Sequence, residues 1–225
     1  MGFFDEPSKQ MLPSAPTLED HRFAIIKGTL SSIPVLGGVF AEELGLVLVT
    51  PLTRRRDAWF EDIARRLREL EDRVADFSFE DLGNNEQFIS AMIQATQSAI
   101  KTHAKEKLEA LRNAVLNIAL GHAPAEDLQA IFLNLVDSFT PVHLQLLRFF
   151  QHPNPVDGAR FRAERWVSDQ ATMDLLSRGL ILDTRPIAAR NRDSGESLVT
   201  GKWPASNLGK QFLELVTNPP QLAGK

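Results

Sequence analysis

Residues that commonly carry out chemistry are sparse in this 225-residue sequence, which has five histidines and no cysteine. The lack of cysteine excludes a disulfide scaffold, a thiolate zinc site and a cysteine nucleophile. No histidine follows an acid by three residues, so the Glu-x-x-His pattern of di-metal bundles is absent. His103 and Glu106 share one helix face, but a single histidine beside one acid is more typical of a structural pair. We therefore predict no metal site.

Phosphate-binding and nucleophile motifs are also missing. Gly195 and Gly201-Lys202 are separated by five residues where a phosphate loop has four, and Trp203 stands where Ser or Thr would hold magnesium. No G-x-S-x-G nucleophile elbow occurs. The sequence therefore predicts a protein with no catalytic residue and no cofactor, which is not an enzyme.

An apolar segment, residues 23–49, is the feature that most favours a function. Residues 28–41 are uncharged over 14 positions, a length typical of a buried core helix or a re-entrant segment. Proline and paired glycines interrupt it, and small residues allow close backbone approach. Two interpretations stay open: a buried helix pair in a soluble bundle, or a membrane-active segment held against the bundle. The candidate membrane-segment residues are Ile33, Pro34, Gly37, Gly38, Phe40, Glu42, Glu43 and Gly45.

Three consecutive arginines, Arg54, Arg55 and Arg56, follow this segment. Bases that flank an apolar hairpin are attracted to an anionic membrane surface, each by about 1 kcal/mol. Thr53 is the predicted N-cap of the next helix. The polar face of that helix mixes bases and acids, which is typical of a solvated surface. The buried stripe of that helix is predicted to be Trp59, Ile63, Leu67, Leu70, Val74 and Phe77.

The first 155 residues are expected to be helical after a flexible, proline-rich arm at 1–20. One long helix is predicted over 84–120, opened by a capping pair of Asn84 and Gln87 and ended by Gly121. Its predicted apolar stripe is Ile89, Ile93, Ile100, Ala104, Leu108, Leu111, Val115 and Ile118. Further helices are expected after Pro124 and from the Thr140-Pro141 cap. Residues 21–155 thus form a predicted multi-helix bundle.

Residues 156–225 predict a small winged-helix-like α+β module. Two short helices over 160–166 and 169–178 would precede a Gly179 C-cap, strands at 180–182 and 197–200, and a closing helix over 206–216. Residues 160–225 carry ten bases against seven acids, and the candidate nucleic-acid contacts are Arg185, Arg190 and Arg192. The helix over 168–178 offers two aspartates and a single arginine, which favours packing or protein contacts over DNA binding.

Several short sequence motifs resemble those of a bacterial helical family that is mostly uncharacterised. They are the apolar Ile-Pro-x-x-Gly-Gly run at 33–38, Lys-Leu-Glu-Ala-Leu-Arg-Asn-Ala at 107–114 and Leu-Leu-x-x-Gly-Leu-Ile at 175–181. The layout is similar to alpha-type abortive-infection proteins, and the N-terminal half resembles the HeLo-like bundles of cell-death effectors. This resemblance implies phage defence or regulated cell death through membrane damage. The polar, proline-rich residues 1–20 depart from the apolar N-terminus of HeLo-type killers.

Together these observations predict a mainly α protein that acts as a non-enzymatic membrane-directed effector. Residues 1–16 carry early acids and no apolar core of a signal peptide, so the expected location is the cytoplasm, with membrane association on activation. Expected partners are anionic lipids, a protein partner or a second copy of the chain, and less so nucleic acid. The alternatives are a regulatory module that uses the winged helix on DNA or protein, and a structural adaptor that does neither.

Overall fold

The computed structural model describes residues 41–184, 198–200 and 203–222. Contacts divide the chain into residues 1–37 and 38–225, and every described residue belongs to the second unit. This described part contains eight α-helices and no β-strand, which confirms a mainly helical bundle. The helices are α1 (Ala41–Glu71), α2 (Glu86–Lys101), α3 (Lys105–Ala119), α4 (Glu126–Ser138), α5 (Pro141–Gln151), α6 (Pro155–Ala163), α7 (Arg165–Ser177) and α8 (Asn207–Val216).

Helix α1 is longer than predicted. It is helical from Ala41 and continues through Pro51 and Thr53, so the predicted N-cap at Thr53 is wrong. A proline inside a helix removes one backbone donor, and a helix of 31 residues retains enough other hydrogen bonds to continue through it. The predicted stripe is confirmed over the first four positions: Trp59, Ile63, Leu67 and Leu70 are buried, whereas Val74 and Phe77 are half-buried.

Helices α2 and α3 form a hairpin where one long helix was predicted. The chain turns extended at Thr102, whose hydroxyl accepts the Ala104 N–H at 3.2 Å, so the helix breaks between Lys101 and Lys105. The N-cap is Asn85 and not Asn84; its side chain accepts from the Phe88 N–H at 3.0 Å.

The buried face of α2 also differs from the predicted isoleucine stripe. Ile89, Ile93 and Ile100 are half-buried. The buried positions are Phe88, Ala91, Met92, Ala95, Thr96, Ser98 and Ala99. Small side chains on this face let α2 lie close to α3 and α1, because each alanine removes side-chain bulk between the backbones.

Helix α3 is the centre of the bundle and contacts α1, α2, α4, α5 and α8. Two asparagines on α3 fix α8: Asn113 Nδ2 donates to the Val216 carbonyl at 3.1 Å, and Asn117 Nδ2 donates to the Leu215 and Thr217 carbonyls at 2.8 and 2.9 Å. The last carbonyls of a helix lack partners within the helix, so these two side chains cap the end of α8.

The predicted helix start at Thr140 and Pro141, which open α5, is confirmed. The predicted closing helix is present as α8, and its N-cap is Ser206, which accepts from the Gly209 N–H at 3.0 Å. Gly121 and Gly179 follow α3 and α7 with positive φ angles of 80° and 72°, a backbone region that suits glycine.

The winged-helix α+β module is not supported. Leu198–Thr200 is a 3₁₀ turn where a return strand was predicted, and Ile181 forms one isolated antiparallel bridge with Ala205. The two helices before Gly179 exist but are shifted to 155–163 and 165–177. After the bridge the chain enters α8, and Gly209 packs so closely on the Leu180 backbone that a Cβ there would clash with the Leu180 carbonyl.

Candidate functional site

The predicted membrane segment is described only at its end. Ile33, Pro34, Gly37, Gly38 and Phe40 lie outside the described residues. Glu42, Glu43 and Gly45 lie in the first two turns of α1. The described part of the segment is therefore one continuous helix with the bundle helix that carries Trp59, not a separate element.

Helix α1 runs antiparallel to α2, as two contacts show. Trp59 Nε1 donates to Thr96 Oγ1 at 3.0 Å, and Arg55 Nη1 contacts the Ile100 carbonyl at 3.4 Å. Because Ile100 is the penultimate residue of α2, the stretch 41–53 continues past the end of α2 by about 20 Å at 1.5 Å per residue. The apolar half of α1 thus leaves the α1–α2 contact at the α2–α3 turn.

The end of the bundle around this turn is rich in bases. Arg54, Arg55, Lys101 and Lys105 are exposed there, and we call these four residues the basic end. Two of the three predicted surface arginines already have partners within the protein. Arg56 pairs with its neighbour Asp57 at 3.2 Å, and Arg55 makes the carbonyl contact described above. Arg54 forms no ion pair with any residue that the structure describes.

Asp137 at the end of α4 ties two lysines to this end. Its carboxylate lies 3.3 Å from Lys101 Nζ, and its backbone carbonyl accepts from Lys107 Nζ at 2.7 Å. Burial lowers the pKa of Lys107, and the Asp137 carboxylate opposes that shift. This contact fixes the α2–α3 turn relative to α4, so the basic end is held by packed helices.

A cleft of about 1100 Å³ lies between the loop after α3 and the ends of α5 and α8. Its charged lining is mixed: Arg148 and Arg160 face the same space as Asp157 and Glu214. Asp157 is held by Asn154 Nδ2 at 2.8 Å, and Arg160 Nη2 donates to Gln145 Oε1 at 3.2 Å. Balanced charges and side chains that hydrogen-bond to one another give this cleft no defined ligand chemistry.

A second cluster, which the sequence reasoning missed, joins α5 to α7. His143 Nε2 lies 3.2 Å from Asp174 Oδ2, and His143 Nδ1 accepts the Thr140 N–H at 3.2 Å and lies 2.9 Å from Thr140 Oγ1. The ring stacks on Phe139 at 4.8 Å. Arg178 Nε donates to the other Asp174 oxygen at 3.1 Å.

This cluster has the residue types of a hydroxyl, imidazole and carboxylate triad, yet its geometry is that of a helix cap. The Thr140 backbone N–H already occupies the Nδ1 lone pair that would have to accept a hydroxyl proton. Burial lowers the pKa of His143, and Asp174 opposes the shift. The Thr140-x-x-His143 spacing at a helix start was the available signal, but Asp174 lies 31 residues farther on, where spacing offers none.

Comparison with known proteins gives no family. The chain matches no protein-family model, and neither a curated protein nor a solved structure is similar to it. The resemblance to abortive-infection and HeLo-like proteins therefore stays a prediction.

Neither grouped metal ligands nor a single membrane-spanning helix occurs in the described ranges. Within residues 41–184, 198–200 and 203–222, no three histidine or acidic side chains are grouped to hold a metal ion. No single helix in these ranges is long and apolar enough to cross a membrane. Helices α4 and α5 meet the length and composition requirement only when taken together, and the chain bends by 117° between them. The candidate nucleic-acid contacts Arg185, Arg190 and Arg192 lie outside these ranges.

Proposed function

We propose that this protein is a non-enzymatic, membrane-directed effector, of the kind used in phage defence or regulated cell death. In this proposal the apolar segment 23–49 enters an anionic membrane surface and the basic end holds the bundle against it. The observation that carries the proposal is the projection of α1 past the α2–α3 turn at the end where Arg54, Arg55, Lys101 and Lys105 are exposed.

The sequence of the projecting helix supports contact with lipid. Between its two acids and Arg54, α1 reads Leu-Gly-Leu-Val-Leu-Val-Thr-Pro-Leu-Thr, which holds six large apolar residues and no charge. A helix that is apolar on every side needs burial against protein or lipid. In its first turns Glu42 and Glu43 would each cost at least about 2.5 kcal/mol at the bilayer centre, so we place that turn in the headgroup region.

The charge balance around the turn supports an anionic partner. Six bases face three acids there, which leaves a net charge of +3. The bases are Arg54, Arg55, Arg56, Lys101, Lys105 and Lys107, and the acids are Asp57, Glu106 and Asp137. Each base near an anionic surface contributes about 1 kcal/mol of attraction, which salt screens.

Co-sedimentation with vesicles tests the binding step. We expect the chain to bind vesicles that contain phosphatidylserine or phosphatidylglycerol, and Arg54→Glu/Lys105→Glu to weaken binding more than about tenfold, since two bases contribute about 2 kcal/mol. The matched control is Arg148→Glu/Lys210→Glu, which changes net charge equally away from the basic end. Equal loss in both variants, or no binding at neutral or mildly acidic pH, would overturn the proposal.

Dye release from the same vesicles tests the effector step. The wild-type chain should release dye, and Gly37→Leu/Gly38→Leu should not, because bulk at the paired glycines prevents close backbone approach in the segment. Release that is unchanged in the glycine variant would contradict the role of that pair. Binding without any release would leave a membrane-bound adaptor in place of an effector.

Retention on DNA, measured with the same purified protein, distinguishes the membrane proposal from the regulatory alternative. If retention on DNA at low salt is observed and is lost in Arg185→Ala/Arg190→Ala/Arg192→Ala, the function lies in nucleic-acid binding instead. Such a result together with an absence of vesicle binding would replace the membrane proposal.

A further inference from the structure

The carboxylate of Asp137 reaches the basic end from the neighbouring helix α4. Its Oδ2 atom lies 3.3 Å from Lys101 Nζ. The side chain of Lys101 is 65% exposed and that of Asp137 is 37% exposed, so water reaches the pair. An exposed ion pair of this kind adds little to stability, and Lys101 can therefore exchange Asp137 for another anion at little cost.

The position of Asp137 within α4 is unfavourable for an acid. It lies in the last turn of that helix, which holds no base. The partial negative charge at the C-terminal end of a helix repels a carboxylate. Lys101 and Lys107 offset this repulsion from outside α4. Replacing the acid by a neutral residue should therefore leave the stability of the fold almost unchanged.

The other acids near the α2–α3 turn are bound elsewhere. Asp57 pairs with Arg56, its neighbour in α1. Glu106 accepts from Gln145 Nε2 of α5 at 3.4 Å. Among the residues that the structure describes, Asp137 is thus the acid that pairs with a base of the basic end.

The contact of Lys107 with Asp137 is of a different kind. Lys107 is half-buried, and its Nζ donates to the backbone carbonyl of Asp137 at 2.7 Å. Because this hydrogen bond does not involve the carboxylate, it holds the end of α4 against α3 when Lys101 binds another anion. The Asp137–Lys101 pair can therefore be exchanged without opening the bundle.

We propose that the Asp137 carboxylate competes with anionic lipid headgroups for Lys101 and thereby lowers the affinity of the basic end for a membrane. A headgroup phosphate has the same sign of charge as the carboxylate and accepts hydrogen bonds from an ammonium group in the same way. This inference rests on the proposed membrane function and adds a residue that regulates it.

Vesicle co-sedimentation with Asp137→Asn tests the competition. This variant should bind phosphatidylglycerol vesicles about fivefold more tightly than the wild-type chain, since one unit of charge at the surface contributes about 1 kcal/mol. The matched control is Asp127→Asn, which changes net charge equally. Asp127 is exposed in the first turn of α4, about 15 Å from Asp137 along the helix. That distance exceeds the screening length of about 8 Å at physiological salt, so the control should bind like the wild-type chain.

Wild-type binding separates failure of this inference from failure of the proposed function. If the wild-type chain does not bind the vesicles, the membrane proposal is overturned and this inference with it. If the wild-type chain binds and the two asparagine variants bind equally, the competition alone is overturned.

A double-mutant cycle tests whether Lys101 is the base that changes partner. In a Lys101→Ala background, Asp137→Asn should give less than the fivefold gain, because the base that it frees is absent. An equal gain in both backgrounds would show that Asp137 acts through net charge alone and would overturn the exchange.

Neutral lipid tests whether the gain is electrostatic. The tighter binding of Asp137→Asn should disappear with phosphatidylcholine vesicles, and the urea midpoint of this variant should equal that of the wild-type chain. A gain that persists on neutral lipid would come from apolar surface exposed by a loosened bundle, and it would overturn the proposal.

Discussion

Helices α3 and α7 are of similar length, but α3 buries most of its side chains and α7 only a minority of its own. Of the 15 residues of α3, nine are buried, among them Leu111, Leu116 and Ile118. Of the 13 residues of α7, four are buried, and the tryptophan is outside. The difference shows that the position of a helix within the bundle, rather than the apolarity of its residues, decides which side chains form the core.

The two helices also satisfy buried polar groups differently. Asn113 and Asn117 of α3 donate to the carbonyls that end α8, so their hydrogen bonds join two helices. Thr172 of α7 donates to the Ser168 carbonyl one turn earlier, at 2.8 Å. The buried amides of α3 therefore join two helices, whereas the buried Thr172 hydroxyl of α7 closes on its own helix; the contact of α7 with α5 is made by the half-buried Asp174.

The largest expected contrast is in core packing. Leu111→Ala on α3 should lower the free energy of unfolding by about 2–5 kcal/mol, because Leu111 is fully buried and its truncation leaves a cavity in the core. Met173→Ala on α7 should change it by less than about 0.5 kcal/mol. Urea denaturation at low protein concentration measures both; equal losses would show that α7 is as deeply buried as α3 in solution.

Hydrogen bonding should give the next largest contrast. Asn117→Ala leaves the carbonyls at the end of α8 without their donor and should cost about 1–3 kcal/mol of unfolding free energy. Gln170→Ala removes an exposed amide from α7 and serves as its control. If the two substitutions cost the same in thermal or urea unfolding, the cap on α8 contributes nothing.

The smallest expected effect is on the pH dependence of the free energy of unfolding, which involves the contact between α7 and His143. Since burial lowers the pKa of His143, the unfolded chain binds more protons than the folded chain once pH falls below the ordinary value of 6.5. The free energy of unfolding should therefore decrease on acidification from that pH, and His143→Gln should make it depend less on pH. A steeper dependence in the variant would contradict the assigned direction.

Local signals predicted much of the fold because they depend on neighbouring residues. Helix geometry alone is enough to predict three features: the glycines that end helices at 121 and 179, the helix start at Thr140-Pro141, and the apolar stripe of α1 from Trp59 to Leu70. The break at Thr102 was missed because its cause is the return of α3 along α2. The isoleucines of α2 were wrongly placed for the same reason, since close packing in the hairpin selects alanine.

Sites that depend on distant residues were harder to predict. The basic end unites Arg54 with Lys101 and Lys105 from a turn that the sequence predicted as helix. The expected strand at 197–200 is described over 198–200 as a 3₁₀ turn that packs against α6 and α7, and its own residue types gave no sign of those contacts. Trp166 was counted inside a short helix, and no local pattern indicated which of its sides would face the bundle.

The asparagine cap between α3 and α8 has a consequence for synthesis on the ribosome. The Asn117 amide and the carbonyl of Leu215 are 98 residues apart, so α3 is made long before its partner exists. Until α8 emerges, the nascent chain displays the apolar and amide surface of α3 that α8 later covers. Completion of this part of the core must therefore wait for α8, and chaperones that bind exposed apolar segments have that interval in which to act.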